Sequence, residues 1–171
     1  MKPKILVPAL LLIFSATNLF AYSNYPNFPV IREVSITASF QKIFVDKNIQ
    51  LVLIQNPGKS SITIAGDEKK VQDVEIIIIN NQLTIRSKKN MSNKEITVYV
   101  PVKNLSSLKL ASGASVSGEG ALKFDDLTVL VNTDSQVNLK AIGNITLEST
   151  DNCELVYERN ERSKIRVSKN F

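Results

Sequence analysis

The sequence predicts an all-β, single-domain fold wound as a β-solenoid, parallel β-helix-like with short rungs, and a β-sandwich is the alternative. Three observations predict it. From Val34 onward almost every segment alternates apolar and polar residues with a period of two, which sends one set of side chains to a core and the other to water. Turn residues punctuate these segments at Asn56-Pro57-Gly58, Gly66-Asp67, Asn80-Asn81 and Pro101. A strand-and-turn unit also recurs. Leu108 to Val116 lines up with Val129 to Val137 and again with Ile145 to Cys153. Recurrence at this scale is how a chain encodes stacked turns of backbone.

The elements follow in order. Lys2 and Lys4 precede an apolar run from Ile5 to Phe14 and the small residue Ala21, the pattern of a secretory signal cleaved after Ala21. The run is about half of the ~20 residues a membrane-spanning helix needs, and Pro8 interrupts it. No stable membrane span is therefore expected after signal removal. Residues 22–39 form a leader with Pro26 and Pro29, followed by a first strand. Strands are then expected over Ile49 to Ile54, Ser61 to Ala65, Gln82 to Arg86 and Glu95 to Val100, with at most one helical turn between Asp67 and Asp73. In Val74-Glu75-Ile76-Ile77-Ile78-Ile79 the isoleucines offer apolar side chains to both faces. Such a strand is covered on both sides or meets a partner, and Ile77 and Ile79 are the candidate interface residues.

In the recurring unit the expected inward columns are Leu110/Val131/Leu147 and Val116/Val137/Cys153. At the corner, Ser112, Thr133 and Ser149 are expected to stack as a ladder of small hydroxyls. Gly113 and Asp134 follow them, residue types that tolerate a left-handed backbone. Cys153, the sole cysteine, takes an inward place as a small hydrophobe. The charged stretch from Tyr157 to Lys169 reads as a hairpin or final rung that protects the open end.

Charge and composition narrow the function. Of 21 basic residues Lys2 and Lys4 leave with the signal, so 19 face 16 acidic ones. That excess is too small to predict nucleic-acid binding, and the clusters at Lys69-Lys70 and Arg86 to Lys89 read as solvated faces. The chain has no histidine, which removes the commonest general base and metal ligand together. No cofactor motif or metal-ligand spacing occurs. Asp134 and Asp151 lack the dense Asp/Asn/Gly loop of a calcium site. Asp125-Asp126 is the one tempting acid pair, yet neighbours on a strand are expected on opposite faces, and a turn joining Phe124 to Leu127 is the plainer reading of both. No catalytic residue is assigned and an enzyme is not expected.

The segments Phe40 to Val45, Ile49 to Gln55, Gln82 to Ile85, Ile96 to Pro101 and Leu108 to Val116 together resemble the bacterial head GIN domain family, labelled putative auto-transporter adhesins. The resemblance runs from about Phe40 to Leu155. Where that family usually has Gln-Gly after the second strand this chain has Gln55-Asn56, and its second Ser-Gly corner is Thr133-Asp134. The resemblance implies a β-solenoid over residues 40–171, exported and associated with the cell envelope. The chain is too short to add the many strands of a membrane barrel to that fold. The expected function is a non-enzymatic, adhesin-like module binding an envelope or extracellular polysaccharide or protein, in the periplasm or outside the cell. The alternative is a self-associating homo-oligomer of the envelope. Mass analysis of the exported protein is expected to find Tyr22 as the mature N-terminus, and Met1 retained would refute the cleavage.

Overall fold

The computed structural model describes residues 29–56, 58–89, 96–149, 154–159 and 164–169, the last two segments by backbone together with the exposed Arg166. The expected signal, the leader through Phe28, Thr150, Asp151 and Cys153 lie outside the described residues.

The all-β expectation holds. The strands are β1 (Val30–Ser35), β2 (Lys42–Val45), β3 (Ile49–Ile54), β4 (Ser61–Gly66), β5 (Val74–Ile79), β6 (Gln82–Ser87), β7 (Ile96–Pro101), β8 (Ser107–Leu110), β9 (Ser115–Val131), β10 (Gln136–Ser149), β11 (Glu154–Arg159) and β12 (Lys164–Lys169). Among the described residues the one helical turn, α1 (Glu68–Asp73), falls where the composition allows it. Asp67 caps it by accepting from the Lys69 N–H at 3.1 Å, and Val71 anchors it in the core.

All twelve strands belong to one sheet, which curls almost closed like a barrel. Its two walls are parallel ladders over most of their extent. One wall runs β6-β2-β8 and continues through the C-terminal halves of β9 and β10 to β12. The other runs β7-β3 and continues through the N-terminal halves of β9 and β10 to β11. Because β9 and β10 each pass through both walls, the walls are one sheet. Antiparallel strands complete one end, β4 and β1 beside β7 and β5 beside β6. The β5–β6 hairpin turns on Asn80 and Asn81, whose φ values of 50° and 64° suit the right-handed twist of its strands.

The core is the space between the walls. Ile64, Val98, Leu51, Val116 and Val137 form one inward column, and Leu83, Ile43, Leu108, Val129 and Leu147 form another. All ten are buried, and stacked strands about 4.8 Å apart give each column unbroken apolar contact. Between β1 and the far edge of the sheet, the Arg32 guanidinium donates to the carbonyls of Gln72 and Val74 and ties β1 to the junction of α1 with β5.

The second step of the repeat differs from the sequence expectation. Leu110 pairs with Val131 as predicted, but Val131 pairs with Ser149 rather than Leu147, and Val137 with Leu155 rather than Cys153. The third copy is thus displaced by two positions. Leu147 stacks on Val129, Ser149 takes the place expected for Leu147, and Leu155 takes the place expected for Cys153. The β9–β10 ladder sets the true offset: the letters put Ile145 16 residues after Val129, whereas the residue paired with Val129 is Leu147, 18 residues on. Its partners run from Gln136↔Ser115 through Lys140↔Ala121 to Asn144↔Asp126, so β9 spends Ser115 to Asp126 over a length that β10 covers with the shorter run Gln136 to Asn144. The surplus in β9 sits at two irregularities of the ladder. Apolar alternation alone is blind to such a shift by two, since it preserves inward parity. Nor do β11 and β12 form the hairpin that is one of the two expectations for the tail: both pair in parallel with β10, as a further rung does.

Corners connect the walls. Asn48, Gly113 and Asp134 occupy equivalent corner positions and have φ of 57°, 73° and 60°. The residues that follow them, Ile49, Ala114 and Ser135, are fully buried. A left-handed residue thus lets each corner swing the chain back over the core. A Cβ added to Gly113 would overlap the Asn48 carboxamide, and one added to Gly143 (φ 128°) would overlap the Phe124 carbonyl, whereas Gly120 (φ 79°) faces open space. Alanine substitution is therefore expected to destabilise in the order Gly143, Gly113, Gly120. Urea unfolding should read about 1 kcal/mol at Gly120 and upwards of about 3 kcal/mol at Gly143.

Candidate functional site

Two surfaces offer binding chemistry. The first is the outer face of the wall containing β7 and β3. Period-two alternation places Thr97, Gln50, Ser115 and Gln136 in one outward column and Tyr99, Val52, Ser117 and Asn138 in the next. The Thr97 hydroxyl donates to the Gln50 carboxamide oxygen across the strands at 3.4 Å. Strand spacing repeats these hydroxyls and carboxamides, with Val52 among them, about every 4.8 Å. The face carries one aromatic ring, that of Tyr99.

The second is a cleft of about 480 Å³ on the side away from the left-handed corners. It lies between the β7–β8 connection, Val102 to Ser106, and the stretch of β9 from Lys123 to Asp126. Local hydrogen bonds hold both rims. The Gln41 carbonyl accepts from the Ser106 N–H at 2.8 Å and from the Ser106 hydroxyl at 3.1 Å. The Gln55 carboxamide grips the Lys123 backbone twice, donating to its carbonyl at 3.1 Å and accepting from its N–H. That side chain does for Lys123 what a neighbouring strand would do, at the point where the main chain leaves β3 for β4.

Asp125 and Asp126 both line this cleft and both are exposed, which corrects the expectation that they point to opposite faces. Phe124 and Leu127 are the buried residues on either side, so the two aspartates fill a bend where β9 crosses between walls and alternation lapses. The Asn144 carboxamide donates to the Asp126 carboxylate at 2.9 Å. Among the described residues no three His, Cys, Asp or Glu side chains gather as metal ligands do.

The corner residues selected from sequence do not form one ladder. Ser112 is half-buried, Thr133 is exposed, and the Gly113 N–H donates to the Thr133 carbonyl at 3.2 Å, so these two corners stack. Ser149 is buried but stands in the strand column of Val131. The buried hydroxyl at the corner is Ser135, which donates to the Ala111 carbonyl at 2.9 Å. Parity counted from Val131 puts both Thr133 and Ser135 inward, and the corner buries Ser135 and leaves Thr133 exposed. Gly113 is placed as expected.

Ile77 and Ile79 lie on β5, an edge strand of the sheet. Ile76 and Ile78 pack on the core, Ile77 is half-exposed, and Ile79 is 63% exposed. The neighbouring basic cluster is paired rather than open: Arg86 meets Glu75 at 2.7 Å, Lys88 meets Glu75 at 3.6 Å and Lys89 meets Asp73 at 3.0 Å. The Arg86 hydrogen bond, aided by the charges of Arg86 and Lys88, holds the Glu75 carboxyl below its usual range against a smaller opposing effect of desolvation. A lowered carboxyl midpoint stabilises the fold above the unfolded-state value and ceases to do so as pH falls through the folded-state midpoint. In a carbon-detected NMR titration Glu75 should titrate below a free glutamate. Arg86→Ala should raise that midpoint and flatten the acid limb of stability.

Among the described residues no helix is long and apolar enough to cross a membrane. The sequence profile of a family described as "putative auto-transporter adhesin, head GIN domain" matches residues 39–162. No curated protein matches the chain. Among solved structures, a "putative adhesin" of Parabacteroides merdae is similar at 21% identity and a TM-score of 0.56, over 73% of this chain and 58% of that one. A "putative adhesin" of Parabacteroides distasonis gives 20% identity and a TM-score of 0.58 over the same shares. A third "putative adhesin", of Bacteroides fragilis, gives 13% identity and a TM-score of 0.54 over 83% of this chain and 97% of that one. This chain therefore spans little more than half of the two Parabacteroides proteins, and at these identities the likeness is one of fold.

Proposed function

The chain belongs to the head GIN domain family, and from that premise we propose that it is an exported, non-enzymatic binding module of the adhesin type, wound as a β-solenoid, that holds a polysaccharide or protein of the envelope or extracellular space. The observation that carries this reading is the outer face of Thr97, Gln50, Ser115 and Gln136 beside Tyr99, Val52, Ser117 and Asn138, polar at seven of its eight positions. Such a face offers many modest hydrogen bonds at a fixed spacing, which suits a repeating ligand better than a single small molecule. The parallel pairing of Ser115 with Gln136, and of Gln136 in turn with Glu154, supports the solenoid.

The acid pair supports a binding role over catalysis. Carboxylates on consecutive residues reach a bound sugar from the same side, whereas glycoside hydrolysis needs an acid on each side of the scissile bond. The absence of histidine from the sequence agrees.

Self-association is the second reading, favoured by Ile79 standing 63% exposed on an edge strand. Retention on immobilised envelope polysaccharide and capture from envelope extracts, run beside light scattering, separates the two. Binding by a monomer, weakened about tenfold or more by Ser117→Arg with Asn138→Arg and untouched by Ile79→Lys, is the expected result. A stable oligomer that Ile79→Lys dissociates, with no retention on either matrix, would replace the binding reading with assembly.

A further inference from the structure

We propose that the cleft between the β7–β8 connection and the β9 bend is a seat for one or two neutral sugar units. This deepens the binding reading above and rests on it.

Four exposed polar residues, Lys103, Asn104, Lys123 and Asp125, line the cleft, and among the described residues none of their side chains has a hydrogen-bonded or ionic partner. Lys123 and Asp125 stand two residues apart on one strand, yet they form no ion pair. Asp126 adds a carboxylate already fixed by Asn144. Beneath these groups Val102, Leu105 and Phe124 are 3%, 3% and 5% exposed, so they close the floor without opening a socket for an apolar side chain. The volume of about 480 Å³ is within the ordinary range for small-ligand sites.

The ligand class follows from this inventory. A sugar hydroxyl both donates and accepts, so it needs donors and acceptors mixed at close range. The two ammonium groups and the carboxamide donate, while the carboxylates and the carboxamide oxygen accept. Hydrogen bonds to charged partners are the stronger kind, which lets few contacts hold a well-hydrated ligand. The two lysines and two aspartates of the lining leave no net charge, so an anionic polymer gains nothing from the cleft over a neutral one. The rims are preorganised: the double grip of Gln55 fixes Lys123, and the Gln41 carbonyl fixes Ser106.

The test is titration of the exported, isotope-labelled protein with maltohexaose, mannohexaose and laminarihexaose, and with hexagalacturonate as the acidic comparison. The expected result is that at least one neutral hexasaccharide shifts the amides of Asn104, Ser106, Lys123 and Asp125. Asn104→Ala and Asp125→Asn, with native-like spectra, should each weaken it about tenfold, and Ser117→Arg on the outer face should leave it unchanged. The inference is overturned if none of the neutral sugars shifts those amides, if hexagalacturonate alone does, or if both cleft variants bind as the parent does. Should the parent still be retained on polysaccharide or envelope extract in that event, only the cleft assignment falls. Should it be retained on neither, the binding reading falls with it.

Discussion

Parallel register is the constraint on which the rest of the structure depends. Once Leu51 stacks on Val98 and Val116, and Ile43 on Leu83 and Leu108, every inward position of one rung is fixed by its neighbour, and a dry interior follows without a disulfide. The same register acts on the outside. It lines up Gln50, Ser115 and Gln136 because it lines up Leu51, Val116 and Val137, so the polar outer face is the reverse side of the core. The outer face and the core are therefore not independent here, since a slip of one residue would exchange them.

Corners keep that register from slipping. Asn48, Gly113 and Asp134 differ in chemistry but share a left-handed backbone, and each delivers a fully buried residue just afterwards. The buried residue is a large isoleucine at the first corner and a small one at the next two, Ala114 and Ser135, and the serine compensates for its polarity by donating to the Ala111 carbonyl. The opposite side of the molecule has no such uniform device. There β9 bends through Asp125 and Asp126, Val102 to Ser106 makes a separate crossing, and Gln55 stands in for a missing strand. Irregular backbone leaves room between crossings, and the cleft occupies that room.

Much of this is legible in the residues. Alternation marks Ile49 to Ile54 and Ser61 to Ala65 correctly, Asn80-Asn81 announces the hairpin, and Asp67 announces its helical turn. The first step of the repeat has the register its letters suggest, and Gly113 and Asp134 are the corner residues their chemistry suggests. The second step is not legible, because a shift by two conserves the inward pattern: Ile145 can oppose Leu127 or Val129 with equal hydrophobic sense. Only counting the extra residues around Gly118 to Gly120 separates those choices. The cleft is illegible for another reason. Its Lys103, Lys123 and Asp125 come from two crossings that no local period relates, and the lapse of alternation at Asp125-Asp126 depends on a bend that tertiary packing imposes.

The surplus of β9 over β10 has a geometric outcome. Because paired partners resume on both sides of each irregularity, β9 and β10 span one distance with different numbers of residues. Insertions confined to those two places would leave the inward columns on either side aligned, so the length of β9 can vary there without disturbing the core.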